Sequence, residues 1–381
     1  MRIVYVTDSF AICGGIERVL TDKMNYLSNV FDYDVVLMTL YQGPHIFPFV
    51  LNSGIGHFDI NVRMNDQYEY RGLLRFYMRW KLKRLIKCRL ASAMSELMPD
   101  VIVCAKYEFV DLICAIKGKI PLVVESHTLC NAEKIEKTSL FRRMHMWYVK
   151  KSLRNVDAVV TLTDGDANDW RKFNSNVFVI PDVVSLNTKA PFATCQSKSV
   201  VFVGRLSKQK NISSLLNIWE KVYLSYPDWE LHVYGENGDI DEAVYNRFIA
   251  AQKIGVVIHQ PIRNQMLEEY KKHSILVLTS LFEPFGLVIP EAMSCGVPVV
   301  SFDSPYGPAS IIMDGRDGFL IPNHNENLFV ERLCLLMSDV LLRQKVGAKA
   351  VVSSKRYTAE KIMPLWKELF EILINKNPKS N

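Results

Sequence analysis

Two glutamates, Glu283 and Glu291, are separated by seven residues in the run Glu283-Pro284-Phe285-Gly286-Leu287-Val288-Ile289-Pro290-Glu291. Carboxylates accept hydroxyl hydrogen bonds, and a glycine at which a helix can open lies between these two. Gly286 is read as the start of that helix and Gly296, in Ser294-Cys295-Gly296, as its left-handed end. A helix start offers free N–H groups and a positive dipole end, which suits phosphate. Eight helical residues span roughly 12 Å, comparable with the distance from a ribose across a diphosphate to a sugar, so the two carboxylates could accept hydroxyls at the two ends of such a ligand; the alternative is one solvated Glu and one Glu capping its own helix. Arg205 and Lys210 follow the apolar run Val200–Val203. They supply a planar fork of donors and a compact point charge. Gly14 and Gly15 follow the first apolar run, where backbone without side chains can approach a ligand closely. His127 stands just past Leu122–Val124; the other seven histidines read as structural or surface residues.

These groups need elements to carry them. Short, β-branched apolar runs recur at Ile3–Val6, Val35–Thr39, Val101–Cys104, Leu122–Val124, Ala158–Leu162 and Val177–Ile180. After a loop-like stretch from Asp182 to Ser199 a second series follows: Val200–Val203, Glu230–Tyr234, Val256–His259, Ile275–Thr279, Pro298–Phe302 and Gly318–Ile321. Helical patterns separate the runs. Continuous apolar strands alternating with helices indicate parallel sheets covered on both faces. The expected fold class is therefore α/β, with two Rossmann-like doubly wound domains at 1–185 and 198–357. In such sheets ligands bind beyond the carboxyl ends of the strands, so the default site is a cleft between the two domains. The pattern from Thr358 to Ile374 places Ile362, Leu365, Trp366, Leu369, Phe370 and Leu373 on one helix face. Part of 358–381 is expected to pack back on the first domain.

Composition narrows the classes. The chain has 381 residues, 49% hydrophobic and 23% charged, which is ordinary for a globular protein of two domains. Forty-six basic against forty acidic residues give +6, too little to imply nucleic acid. Eight scattered cysteines without C-x-x-C argue against a disulfide framework or zinc site and suit a reducing cytosol. No stretch approaches the roughly 20 apolar residues of a membrane span. The expectation is a cytoplasmic protein, with contact at the inner face of the cell membrane as a further reading.

The Glu283–Val300 run, with Pro-Phe-Gly after the first Glu, resembles the signature of the retaining glycosyltransferases of family 4 (glycosyl transferases group 1), which have the GT-B fold. Gly14-Gly15-Ile16-Glu17-Arg18-Val19, Phe202-Val203-Gly204-Arg205-Leu206-Ser207-Lys208-Gln209-Lys210-Asn211, Asp303-Ser304-Pro305-Tyr306-Gly307-Pro308 and Asp314-Gly315-Arg316-Asp317-Gly318-Phe319-Leu320 resemble the same family in the same order. The resemblance implies that Arg205 and Lys210 hold a donor diphosphate, Glu291 the ribose and Glu283 a donor-sugar hydroxyl. It places the amides of Phe285, Gly286 and Leu287 near phosphate and sugar, and the Gly14-Gly15 loop against the phosphates or sugar. His127 falls where the family has a histidine at the reaction centre. The resemblance implies transfer of a hexose or N-acetylhexosamine from a UDP-sugar, with GDP-mannose as the other donor, to a glycan or lipid-linked acceptor in cell-surface polysaccharide biosynthesis. No metal or other cofactor is expected. The chain departs from the family's frequent Ile-Pro-Asn-Pro-Val at Ile180-Pro181-Asp182-Val183-Val184, and carries Ser310 where related members often have Glu.

Other readings have weaker support. Three D-x-D tripeptides (Asp32-Tyr33-Asp34, Asp164-Gly165-Asp166 and Asp239-Ile240-Asp241) are potential metal–phosphate ligands, and only the second directly follows a strand-like run. Nicotinamide binding is disfavoured, because the first loop lacks G-x-G-x-x-G. Residues 71–92 hold Arg71, Arg75, Arg79, Lys81, Lys83, Arg84, Lys87 and Arg89 with no acidic residue. A helix there carries a slanting basic ridge, which favours an anionic membrane surface or acceptor contacted by Arg71, Arg75, Arg79 and Lys83. A sugar-nucleotide epimerase on the same fold and a non-catalytic lipid- or polyanion-binding protein are the alternatives.

Overall fold

Every second residue of a strand points to the same face, so an apolar run without alternation must be buried on both sides. That is what β1 (Arg2–Thr7), β2 (Asp34–Thr39), β4 (Val101–Cys104), β5 (Leu122–Glu125) and β6 (Ala158–Thr161) do. With the edge strands β3 (Gly56–Asp59) and β7 (Val177–Val179) they form one parallel sheet in the order β3-β2-β1-β4-β5-β6-β7. The computed structural model describes residues 1–136, 138–187, 189–262 and 265–376. Residues 377–381, the end of the expected C-terminal segment, lie outside them.

One face of this sheet carries Val4, Val6, Val36, Ile102 and Val124, packed on Ile86, Leu90 and Met94 of the Gly72–Leu97 helix and on Trp170. The opposite face carries Ile3, Tyr5, Val35, Val101 and Val123, covered by the Gly15–Asn29 helix and by the Ala359–Lys376 helix. The chain accordingly divides into two compact units, Met1–Val183 with the segment from Ala359 onward, and Val184–Thr358. In the returning helix Ile362, Met363, Trp366, Leu369, Phe370 and Leu373 are buried. Leu365, expected on that face, is 40% exposed and Met363 takes its place.

The second unit has a six-stranded parallel sheet in the order β10-β9-β8-β11-β12-β13, comprising β8 (Ser199–Val203), β9 (Glu230–Tyr234), β10 (Val256–His259), β11 (Ile275–Leu278), β12 (Val299–Asp303) and β13 (Phe319–Pro322). Val200, Phe202, Leu231, Val233, Ile275 and Val300 form its core with Leu215, Leu216 and Trp219 of the Ile212–Tyr223 helix. In each sheet the strand order reverses once, between β1 and β4 and between β8 and β11. Loops leaving those neighbouring strands diverge to opposite faces and open a crevice at their carboxyl ends.

Candidate active site

In the second unit the crevice is lined by the loops after β8 and β11. Gly204 follows β8, and a Cβ there would stand 3.1 Å from the Lys210 side chain, so a bare glycine lets Lys210 fold back over the strand end. The Lys210 ammonium pairs directly with Glu283 Oε1, which also accepts a 2.6 Å hydrogen bond from the Ser280 hydroxyl. Glu283 is buried, while the Lys210 side chain keeps 17% of its exposure. Arg205 lies exposed on the same loop and has no side-chain partner among the described residues. The Glu283 backbone is clamped on both sides. Its N–H donates to Pro305 O at 2.8 Å, and its carbonyl accepts from the amides of Tyr306 and Gly307 at 2.9 and 2.8 Å. A Cβ on Gly307 would fall 2.0 Å from the Phe285 carbonyl oxygen, so only glycine allows this approach.

The helix behind Glu283 is shorter than expected. It covers Val288–Ser294, with Gly286 at φ +94° before it and Gly296 at φ +82° after it. Glu283 and Glu291 are thus not joined by one helix, and the 12 Å helical measure does not apply to them. Glu291 lies in the first turn, buried, and accepts a 3.1 Å hydrogen bond from the Tyr270 hydroxyl. The amides of Gly286 and Leu287 precede the helical turns, while Phe285 packs edge-on against Tyr357. Seven residues make a weak dipole, so the start of this helix by itself offers little positive charge.

In the first unit the carboxyl ends of β1, β4, β5 and β7 bring another set together. Gly14 is the N-cap of the Gly15–Asn29 helix, and a Cβ there would collide with Glu17 Oε2 at 2.6 Å. Gly15 is the first helical residue. Beside them Lys106, after β4, pairs with Asp8, after β1, at 2.6 Å. His127, after β5, has a side chain only 4% exposed: the ring points inward, and what is open at this position is backbone. Its Nε2 lies 3.2 Å from Glu125 Oε1 and its Nδ1 3.7 Å from Asp182 Oδ1. Lys23, wholly buried on the Gly15–Asn29 helix, bonds to the same Glu125 oxygen. Burial works to raise the Glu125 carboxyl, but Lys23 and His127 outweigh it and hold the group down to about 2. Burial works to lower His127, and Glu125 and Asp182 outweigh it, leaving the imidazole above its ordinary value. Asp182 is pushed up to about 6 by burial, against the attraction of His127 and Lys23. Glu125, His127 and Asp182 present donor atoms within 4.8 Å of one another, a spacing a metal ion accepts. The Lys23 ammonium already occupies the Glu125 side of that group, and the four form a charge-compensated network instead.

Sequence reasoning named His127 but missed Lys23, Glu125 and the part played by Asp182. A glutamate closing an otherwise apolar strand and the Asp182 departure were the available signals.

The D-x-D tripeptides have internal uses. Asp166 accepts from Cys130 N, Thr161 Oγ1 and the Trp170 indole; Asp34 pairs with Arg2 and Asp241 with Lys208. On the Gly72–Leu97 helix, Leu73, Leu74, Phe76, Tyr77 and Trp80 are all exposed, and only the second half of the helix is anchored in the core. Arg71 and Arg75 are exposed and Arg79 half-buried beside them, Arg75 lies over the Tyr68 ring, and Lys83 is engaged with Asp111 at 3.1 Å.

Two Rossmann-like units, each with charged groups at its strand-order reversal, define a GT-B-type glycosyltransferase fold. The chain belongs to the family 4 glycosyltransferases: residues 13–188 match "Glycosyltransferase Family 4" and residues 189–352 match "Glycosyl transferases group 1". It is 25% identical over 377 residues to the amylovoran biosynthesis glycosyltransferase AmsD of Erwinia amylovora, covering 97% of this chain and 99% of that one. An uncharacterized glycosyltransferase of Haemophilus influenzae is 32% identical over 213 residues, which span 55% of this chain and 60% of the relative. A poly(ribitol-phosphate) alpha-N-acetylglucosaminyltransferase of Staphylococcus aureus is 28% identical over 62% of this chain and 48% of its own length. With these last two, therefore, the match spans less than two thirds of the relative. Among solved structures, sucrose-phosphate synthase of Thermosynechococcus elongatus shares the fold at TM-score 0.81 and 16% identity, over 98% of this chain and 99% of that one. Anabaena HepE, solved with UDP and glucose, shares it at TM-score 0.74 and 16% identity, over 98% and 100%.

Proposed function

We propose that this protein transfers a hexose or N-acetylhexosamine, with retention, from a UDP-sugar to a hydroxyl of a glycan or lipid-linked glycan in cell-surface polysaccharide biosynthesis. The observation that carries this reading is the Lys210–Glu283 pair at the carboxyl ends of β8 and β11, with Arg205 exposed on the same loop as Lys210. The AmsD match along nearly the whole chain supports the polysaccharide role, and the HepE complex supports UDP as the nucleotide.

Breaking a glycosyl–phosphate bond builds negative charge on the departing diphosphate while the sugar becomes oxocarbenium-like. Arg205 and Lys210 supply fixed positive charge where that negative charge grows. Glu283 is oriented by Ser280 and by the 305–307 clamp, and accepts from a donor-sugar hydroxyl; Glu291 accepts from the ribose. In front-face transfer the leaving phosphate takes the acceptor's proton, so no protein nucleophile is required. In the first unit the Gly14-Gly15 loop and the backbone at His127 are the groups we assign to ligand contact. Glu283→Ala and Lys210→Ala should each lower transfer at least about 100-fold with the fold retained. Release of UDP from UDP-glucose and UDP-N-acetylglucosamine, with and without a glycan acceptor, reads this out. Near-normal rates in both variants would defeat the assignment, and a changed sugar without acceptor would point to an epimerase.

The exposed aromatic and basic half of the Gly72–Leu97 helix supports contact with an anionic bilayer, rings at the interface and bases at the headgroups. No helix among the described residues is long and apolar enough to cross a membrane. Flotation with phosphatidylglycerol vesicles should be lost when Arg75, Arg79 and Trp80 are replaced together by Glu; unchanged flotation removes the idea.

A further inference from the structure

We infer that Lys23 and Glu125 are positioning residues: their buried ion pair, capped by Trp366, draws the His127 ring inward as an imidazolium and so fixes the Ser126-His127-Thr128 backbone at the end of β5. The inference rests on the reading that this loop serves transfer.

Four ionisable side chains meet in a space almost closed to solvent. Lys23 and Glu125 are each 1% exposed, His127 4% and Asp182 6%. A buried charge is tolerable only when compensated, and here two cations face two anions. The two ring nitrogens of His127 lie 3.2 and 3.7 Å from carboxylate oxygens, ion-pair distances without hydrogen-bond geometry, and the field of two buried carboxylates favours the doubly protonated ring. The Lys23 ammonium lies 3.6 Å from the centre of the Trp366 ring, whose face attracts a cation. The loop behind is tied as well, with Ser126 Oγ donating to Thr128 O at 2.7 Å.

The remaining charged surroundings of His127 are Glu17 on the Gly15–Asn29 helix, raised by burial, and behind it the Lys106–Asp8 pair. Tyr5, buried on β1 near Glu125, has its hydroxyl pushed well up by burial and stays neutral. Of these only Glu125 is bonded to Lys23 and also close to the ring, so Lys23 can act on His127 through it. Asp182 supplies the second anion at the position where the family's frequent pattern has Asn.

The test follows the His127 Cε1–H signal by NMR in histidine-labelled full-length protein, assigned by its loss in His127→Gln. In the wild type the midpoint lies above 6.5, the ordinary imidazole value. In Lys23→Met it moves higher, because Glu125 loses its competing cation. In Glu125→Gln it falls below the wild-type midpoint. The double variant Lys23→Met/Glu125→Gln removes the buried charge pair together; it stays folded, yet its His127 midpoint also falls and its transfer rate drops in kcat more than in KM. A purely structural pair would give a folded double variant whose His127 midpoint falls, through loss of the nearby Glu125 charge, while kcat stays at the wild-type value. That result, or one midpoint shared by all folded variants, overturns the inference. If His127→Gln keeps full transfer while the midpoints move as stated, the functional reading of the loop fails and the positioning network stands.

Discussion

The two units solve one problem in opposite ways. In the first, Lys23, Glu125, His127 and Asp182 compensate one another away from water, so the constellation is complete before any ligand arrives. In the second, Lys210 is partly exposed and held by Glu283, while Arg205 is exposed and has no side-chain partner among the described residues. The Lys210 ammonium is thus engaged with a carboxylate and still open to water. One constellation is closed within itself; the other keeps charge open to water.

The widest separation should appear in stability. Lys23→Met removes one of the two cations that hold the wholly buried Glu125 carboxylate and should cost about 3 kcal/mol of unfolding free energy. Lys210→Met should cost less than half of that, since Glu283 keeps the Ser280 hydroxyl and its partner was already in contact with water. Denaturant titration of both variants measures the contrast, and equal losses would erase it. Next comes affinity. Arg205→Ala should raise the donor KM about tenfold, as for one charge-assisted hydrogen bond, with no change in melting. A parallel loss of stability would mean that Arg205 belongs to the fold rather than to a binding surface.

The smallest effect concerns pH. Asp182 binds its proton up to about pH 6 in the folded chain but only to about 3.8 when unfolded. Between those values the folded state holds the extra proton, so stability falls as pH rises through the window. Asp182→Asn should flatten that slope between pH 4 and 6 without altering Arg205-dependent donor binding. A slope identical to wild type would show that Asp182 is not coupled to folding.

Much of the fold was legible because buried parallel strands announce themselves as uninterrupted apolar runs; β4, β9 and β10 fall on the runs read from sequence. β3 was not, since Gly56-His57-Phe58-Asp59 is a half-exposed edge strand without that signal. The groups after β8 and β11 could be named because their spacing is local. Lys23 could not. A lysine on an amphipathic helix reads as surface, and its burial depends on Glu125 and Trp366, 102 and 343 positions further along. The Gly72–Leu97 helix shows the converse: its first-half aromatics fit a buried stripe, yet the core reaches only the second half.

The Ala359–Lys376 helix, which supplies Trp366 to the first unit, gives the protein a particular order of assembly. The face that carries Ile3, Tyr5 and Leu37 receives the Gly15–Asn29 helix early, but its cover is completed only after more than 350 residues have emerged. During synthesis the second unit can close before the first is finished, and an early stop codon anywhere beyond it would damage the opposite end of the polypeptide.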